Sequence, residues 1–133
     1  MRVALREVAF ARSGDKGDTA NIGVIAISES AYQHLAEQLT TANVKRYFSA
    51  VCHGDVERYE LPNLFALNFL LHESLGGGGT MSLMLDAQGK TFAAGILGLE
   101  IDVPEAVVDE CRRVVAGEVP GRSPVAGVGA EHE

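Results

Sequence analysis

Ser13-Gly14-Asp15-Lys16-Gly17-Asp18-Thr19-Ala20-Asn21-Ile22-Gly23 is the stretch on which the reading of this chain turns. It lies between two apolar segments, residues 3–11 and 24–27, and sets small and acidic turn-forming residues around a single lysine. A plain connector does not need that density of polar groups. Read as a loop, it can hold something. Its glycines let the backbone take positive φ or approach a ligand closely, Asp15 and Asp18 offer acceptors, and Ser13, Thr19 and Asn21 offer local hydrogen bonds. Two readings stand side by side. In one, the Asp and Asn side chains only satisfy backbone amides. In the other, Lys16 and free backbone N–H groups meet an anion such as a carboxylate or phosphate. Lys16 favours the second, because an exposed structural loop has no use for an ammonium between two Gly-Asp units.

Working outward, residues 2–11 alternate imperfectly, with Val3, Leu5 and Phe10 against Arg2, Arg6 and Arg12, which predicts a strand feeding the loop. The β-branched run 24–27 predicts a second. Ser28 is placed to cap a helix through Leu39, with Tyr32, Leu35, Ala36 and Leu39 on one face. Thr41 then caps a short second helix carrying Val44, Tyr47 and Phe48. Residues 51–59 read as a strand with a bulge or turn at Gly54-Asp55. Pro62 opens a helix over residues 62–75 that is apolar on most sides, so it is buried or awaits a partner. Beyond it come Gly76, Gly77, Gly78 and Gly79, either a hinge or a point of close backbone approach. Residues 81–85 and 91–99 flank Ala87-Gln88-Gly89-Lys90 as a β-hairpin. Pro104 opens a final helix with Val107, Val108, Cys111, Val114 and Val115 on one stripe. The order predicts an α+β fold, a split βαβ sandwich with a mostly antiparallel sheet and helices on one face. Residues 1–116 form one domain in this reading and 117–133 a mobile tail.

Whole-chain numbers bound the chemistry. With 133 residues and 47% hydrophobic composition the chain carries one ordinary core. Its formal charge of -7 argues against nucleic acid, because phosphate neutralisation needs clustered basic residues. No apolar run approaches the roughly 20 residues that cross a bilayer, and no secretory leader is legible. Cys52 and Cys111 lack CxxC spacing, which predicts a reducing, cytoplasmic setting with neither zinc nor an iron–sulfur cluster.

Catalytic residues do not assemble from the sequence. The Lys16-Gly17-Asp18 step breaks the Gly-Lys-Ser/Thr pattern of a P-loop, and Gly14, Gly17 and Gly23 miss the dinucleotide-binding spacing. Asp15 and Asp18 alone make a weak case for a cation. Cys52 and His53 are adjacent, and on a strand they point to opposite faces. His72 reads as a cap or surface residue.

SGDKGDTANIGVIA, followed by ERYELPNLFALNFLLHESLGGGGTMSLMLDAQGKTFA, resembles the ferredoxin-fold domain that ends AtuA-like proteins of acyclic-terpene utilisation. That family carries SGDKG…ANIG, a YELPNL-type segment, LGGGG and a following Gly-Lys hairpin, and the likeness runs over residues 8–101. The resemblance implies a ferredoxin-like fold without a cofactor. It also implies that Ser13, Gly14, Asp15, Lys16, Gly17, Asp18, Asn21, Asn63 and the four glycines 76–79 border a ligand site or an interface. In the family the domain sits behind a large N-terminal domain, so the resemblance further implies a stand-alone small protein that works with a separately encoded large subunit, itself homo-oligomeric. The implied chemistry is acyl-CoA hydration or lysis in bacterial breakdown of isoprenoid or branched acids. The competing expectation is a non-catalytic assembly or regulatory module.

Overall fold

Lys16 and Thr19 are paired across a two-residue turn in which Gly17 takes φ 62 and Asp18 does not adopt positive φ. A glycine with positive φ at the first central position is the signature of a type II′ turn, whose twist matches that of the strands it joins. The opening stretch is therefore a β-hairpin and not a loop. Its arms are the eight-residue strands β2 (Ala9–Lys16) and β3 (Thr19–Ala26). Sequence reading reaches only their outer ends, 9–11 and 24–26, because Ser, Gly, Asp and Asn have poor strand propensity, and the ladder overrides it.

The computed structural model describes residues 1–74 and 92–117. Strand β1 (Arg2–Ala4) gives way to a 3-10 turn, Leu5–Glu7, before β2 begins. After β3 come α1 (Glu29–Gln38), α2 (Thr41–Tyr47), β4 (Val56–Leu61), a 3-10 turn at Pro62–Leu64, and β5 (Ala66–Leu71). Residues 92–96 are helical, and β6 (Glu100–Asp102) and α3 (Glu105–Val115) close the described chain. The main sheet is antiparallel in the order β2-β3-β5-β4, and β1 pairs with β6 beside it. Helices segregate to one face, as a ferredoxin-like α+β sandwich requires.

Two helix starts follow from local chemistry. The Ser28 hydroxyl accepts from the Ala31 N–H at 3.1 Å, and α1 runs from there as the sequence predicts. The second cap is Thr40, one residue earlier than expected, accepting from Asn43 N–H at 3.1 Å. Helix α3 buries Val107, Val108 and Cys111, whereas Val115 falls off the stripe and is exposed.

Three further expectations need correction. Of the helix expected over 62–75, the described residues 62–74 form none, because Pro62–Leu64 is a single 3-10 turn closed by Phe65 at φ 52, after which the chain returns as β5. β5 is a central strand, with Leu67, Phe69 and Leu71 buried under the helices and Ala66, Asn68 and Leu70 on the other side. Apolar residues on both parities erase the period-2 pattern and imitate a buried helix. Residues 92–96 likewise form a helical turn where a hairpin strand was expected. Phe92 and Ile96, four apart, are both buried, and the Ser13 hydroxyl accepts from the Ala93 N–H at 3.1 Å. The expected strand over 51–59 begins only at Val56. Gly54 lies against β5, where a Cβ would fall 2.8 Å from the His72 carbonyl oxygen. The tetraglycine, the strand expected over 81–85, its Gly-Lys turn and the tail from 118 lie outside the described residues.

The core lies between sheet and helices. Ile22, Val24, Leu67, Phe69 and Leu71 meet Leu35, Leu39, Val44, Val108 and Cys111 in one buried cluster.

Candidate functional site

Because side chains alternate across a sheet, β2, β3, β5 and β4 present a second face opposite the helices. The register arranges it in rows. Phe10, Ile25, Ala66 and Leu61 form an apolar row. Next come Arg12, Gly23, Asn68 and Tyr59, then Gly14, Asn21, Leu70 and Glu57. Beyond them Lys16 pairs with Thr19, and hydrogen bonds align His72 with Asp55.

A cavity of about 440 Å³ opens on this face, floored by Gly23, Ile25 and Ala66 and walled by Leu61 and Leu64. Arg12, Asn21 and Asn68 supply its polar side chains. A side chain at Gly23 would come within 3.8 Å of Asn68 Oδ1, so the missing Cβ is what leaves the floor open between Arg12 and Asn68. An apolar floor with a few convergent polar groups is the usual make-up of a small-molecule site.

At the hairpin end of the same face runs a chain of hydrogen bonds that sequence reading missed. Thr19 Oγ1 lies 3.2 Å from His72 Nδ1, and His72 Nε2 lies 2.6 Å from Glu57 Oε2. The Tyr59 hydroxyl donates to the other oxygen of Glu57. The carboxylate selects the tautomer: with Nε2–H donating to Glu57, a neutral imidazole accepts from the Thr19 hydroxyl at Nδ1. The Tyr59 and His72 hydrogen bonds hold the Glu57 carboxyl below its usual pKa, while the Glu57 bond and charge push the Tyr59 phenol above 10.0. The donors all run toward the Glu57 carboxylate, which fixes the orientation and tautomer of His72 and leaves its Nδ1 as the acceptor of the chain. A second cavity beside them is lined by Asp18, Asp55 and Glu73. The signal for this cluster was the parity of 57, 59 and 72 across paired strands, which a helical reading of β5 conceals.

The structure sorts the other sequence candidates. Gly14 and Asn21 face each other and line the first cavity. Ser13 belongs by parity to the covered side, where it binds Ala93, and Asp15 follows it. Lys16 is exposed at the hairpin end, Gly17 makes the turn, and Asp18 borders the second cavity. Asn63 is exposed in the 3-10 turn. Gly76 to Gly79 lie outside the described residues. Cys52 is buried off any strand, its thiol against the Gly54 and His72 carbonyls at 3.5 Å each. Burial pushes its pKa up, as it does that of Cys111, so neither is poised as a thiolate at neutral pH. Among the described residues no group of three or more His, Cys, Asp or Glu side chains is placed to hold a metal, and no helix is long and apolar enough to cross a membrane.

No curated protein and no solved structure matches the chain. The family model described as the AtuA ferredoxin-like domain matches residues 3–102, a span that reaches every described strand of both sheets. With the match covering most of its length, the chain belongs to the AtuA ferredoxin-like domain family.

Proposed function

We propose that this chain is the small component of a bacterial acyl-CoA-processing assembly of hydratase or lyase type, acting on isoprenoid or branched acids with a separately encoded AtuA-like large subunit. The open-face cavity carries the reading. Ile25, Leu61, Leu64 and Ala66 offer a branched acyl chain an apolar bed. The amides of Asn21 and Asn68 suit a thioester carbonyl or the amides of the pantetheine arm. Arg12 and Lys16, two rows apart on the same face of β2, suit anionic phosphates. His72, backed by Glu57, lies one row beyond Asn21 and supplies an imidazole for moving a proton.

The test is hydration of branched enoyl-CoA thioesters by the chain alone and with the large subunit. The reading expects activity only with the large subunit. It also expects Asn68→Ala and Arg12→Ala to raise KM, and Glu57→Gln to lower kcat, in variants that still assemble. Thioester binding that is absent in both forms would overturn it. The exposed apolar side chains around the cavity favour one rival, a non-catalytic assembly module. In that case the same variants lose the complex and leave its catalysis per assembled unit unchanged.

A further inference from the structure

Ser28, Thr40 and Ser74 spend their hydroxyls on the backbone of Ala31, Asn43 and Leu71. Thr19 faces an imidazole instead. Its Oγ1 lies 3.2 Å from His72 Nδ1, and His72 Nε2 lies 2.6 Å from Glu57 Oε2, both within the reach that marks a hydroxyl activated by a base which a third group holds. Because the carboxylate can only accept, Nε2 carries the proton and Nδ1 is the basic nitrogen. Both ring nitrogens are thus engaged, so the imidazole acts on a substrate through the Thr19 oxygen. The ring stands the other way round from the serine-protease order, with Nδ1 toward the hydroxyl, and the roles are unchanged because the two nitrogens are conjugated.

We propose that Thr19 is the nucleophile of an acyl-transfer centre, with His72 as its general base and Glu57 as the carboxylate that positions the base. The substrates are short acyl esters and thioesters whose leaving group is neutral or cationic. A ligand can reach all three side chains. His72 and Glu57 are 35% and 44% exposed, Thr19 is half-buried, and together they line the second cavity of about 440 Å³. Lys16 stands opposite Thr19 on β2, on the same face with Cβ atoms ~5 Å away, and has no ion-pair partner among the described residues. An acyl chain on the Thr19 oxygen lies over the next row, Gly14 and Asn21, where a Cβ on Gly14 would meet nothing within 4 Å. That row leads to the apolar floor of the first cavity. The inference takes this acyl bed from the acyl-CoA reading and rests on it for nothing else, since it needs neither CoA nor the large subunit.

Thr19 Oγ1 attacks the acyl carbon, and its proton passes to His72 Nδ1 while Glu57 steadies the imidazolium. The Lys16 ammonium offsets the charge on the tetrahedral oxygen. The carbon–sulfur or carbon–oxygen bond then breaks, the leaving group takes the proton from Nδ1, and the acyl group stays on Thr19 as an ester. A water molecule that gives its proton to the same nitrogen attacks that ester. The proton returns to the Thr19 oxygen as the carboxylic acid departs. Asp18, Asp55 and Glu73 border the cavity and repel an anionic leaving group, which sets the charge preference.

The test incubates the purified full chain, without the large subunit, with butyrylthiocholine, whose leaving thiol is cationic. The expected result is a burst of released thiol and a butyryl ester on Thr19, located by peptide mass spectrometry and removed by hydroxylamine. Thr19→Ser keeps the burst and Thr19→Ala abolishes it. His72→Gln slows it by ~100-fold or more. Glu57→Gln slows it by ~10-fold or more and moves the acid limb of the rate profile to lower pH, because the imidazolium loses its counter-charge. A merely structural loss would lower the amplitude and leave that limb in place. Circular dichroism confirms that each variant folds, and labelling of the unsubstituted chain reads the same centre without any variant. A chain that gains no butyryl group, butyryl groups confined to amines and stable to hydroxylamine, or a burst that survives in Thr19→Ala would overturn the inference. Hydration of enoyl-CoA thioesters with the large subunit is a separate assay, so an unlabelled Thr19 leaves the acyl-CoA reading intact.

Discussion

The two faces of the main sheet are written by the same strands in alternate letters, and they follow different rules. On the helix side the central strands present Ile22, Val24, Leu67, Phe69 and Leu71, all buried and apolar, with the polar Ser13, Asp15, Arg58 and Glu60 confined to the edge strands. On the open side Phe10, Arg12, Asn21, Asn68 and Tyr59 mix exposed rings, charges and amides. The first composition is what folding selects, because burial of apolar surface offsets chain entropy. The second adds little to the stability of the monomer. Its groups are held in fixed geometry by a sheet whose stability comes from elsewhere, which is how a recognition surface is kept rigid.

The contrast is broken most directly by truncating one ring on each side. Phe69→Ala removes a side chain with 0% exposure and is expected to cost about 3–5 kcal/mol. It should lower the urea midpoint with the slope unchanged. Phe10→Ala, by contrast, should leave monomer stability within about 0.5 kcal/mol. Equal losses at both sites would mean that the open face is part of the core.

Glycines on the two sides sharpen the comparison at smaller amplitude. Gly54→Ala would drive a Cβ to 2.8 Å from the His72 carbonyl oxygen, a backbone atom with little room to yield, and should cost about 1–3 kcal/mol in denaturant titration. Gly23→Ala meets nothing closer than 3.8 Å, so its stability should be unchanged or raised by about 0.5 kcal/mol. It should nevertheless weaken whatever the cavity binds, because the methyl enters the gap between Arg12 and Asn68. That split between stability and binding is read by comparing melting curves with ligand titrations.

Ser28→Ala, on the covered side, should cost about 1 kcal/mol through loss of the α1 cap. The smallest expected effect is the pH response of the open-face network. The lowered Glu57 pKa contributes stability that is present above its unfolded value and fades as pH falls through the folded one. The raised Tyr59 pKa contributes stability that is present below 10.0 and fades as pH rises through the folded value. Glu57→Gln should flatten the acid limb and bring the Tyr59 ionisation, followed by ultraviolet absorbance, back toward 10.0. An unchanged Tyr59 titration would show that the hydrogen bond between them does not persist in solution.

Legibility in the sequence followed the range of the interactions. The Ser28 cap, helix α1, and Val107, Val108 and Cys111 on α3 depend on neighbours within four positions and could be read directly. Strand β5 could not. Its apolar residues occupy both parities because β3 and β4 flank it, a fact no local window contains. Misreading β5 hid the site as well, since Asn68 and His72 reach Gly23 and Thr19 only across a sheet. Asn21 and Gly14 were singled out as residues, and their partners on the face were not.

By itself, the order of residues determined the acidic single-core character of the chain, its helix caps, its α+β class and, through SGDKG…ANIG, its family. Those properties rest on composition, local hydrogen bonds and motif spacing, which the chain carries before it folds. Only the tertiary structure decided that the glycine-aspartate stretch is a hairpin and that Arg12, Asn21 and Asn68 share one cavity. It alone joined Thr19, His72, Glu57 and Tyr59. Strand pairing joins positions up to 100 residues apart through backbone register, and register is settled only when the buried parity finds its helices.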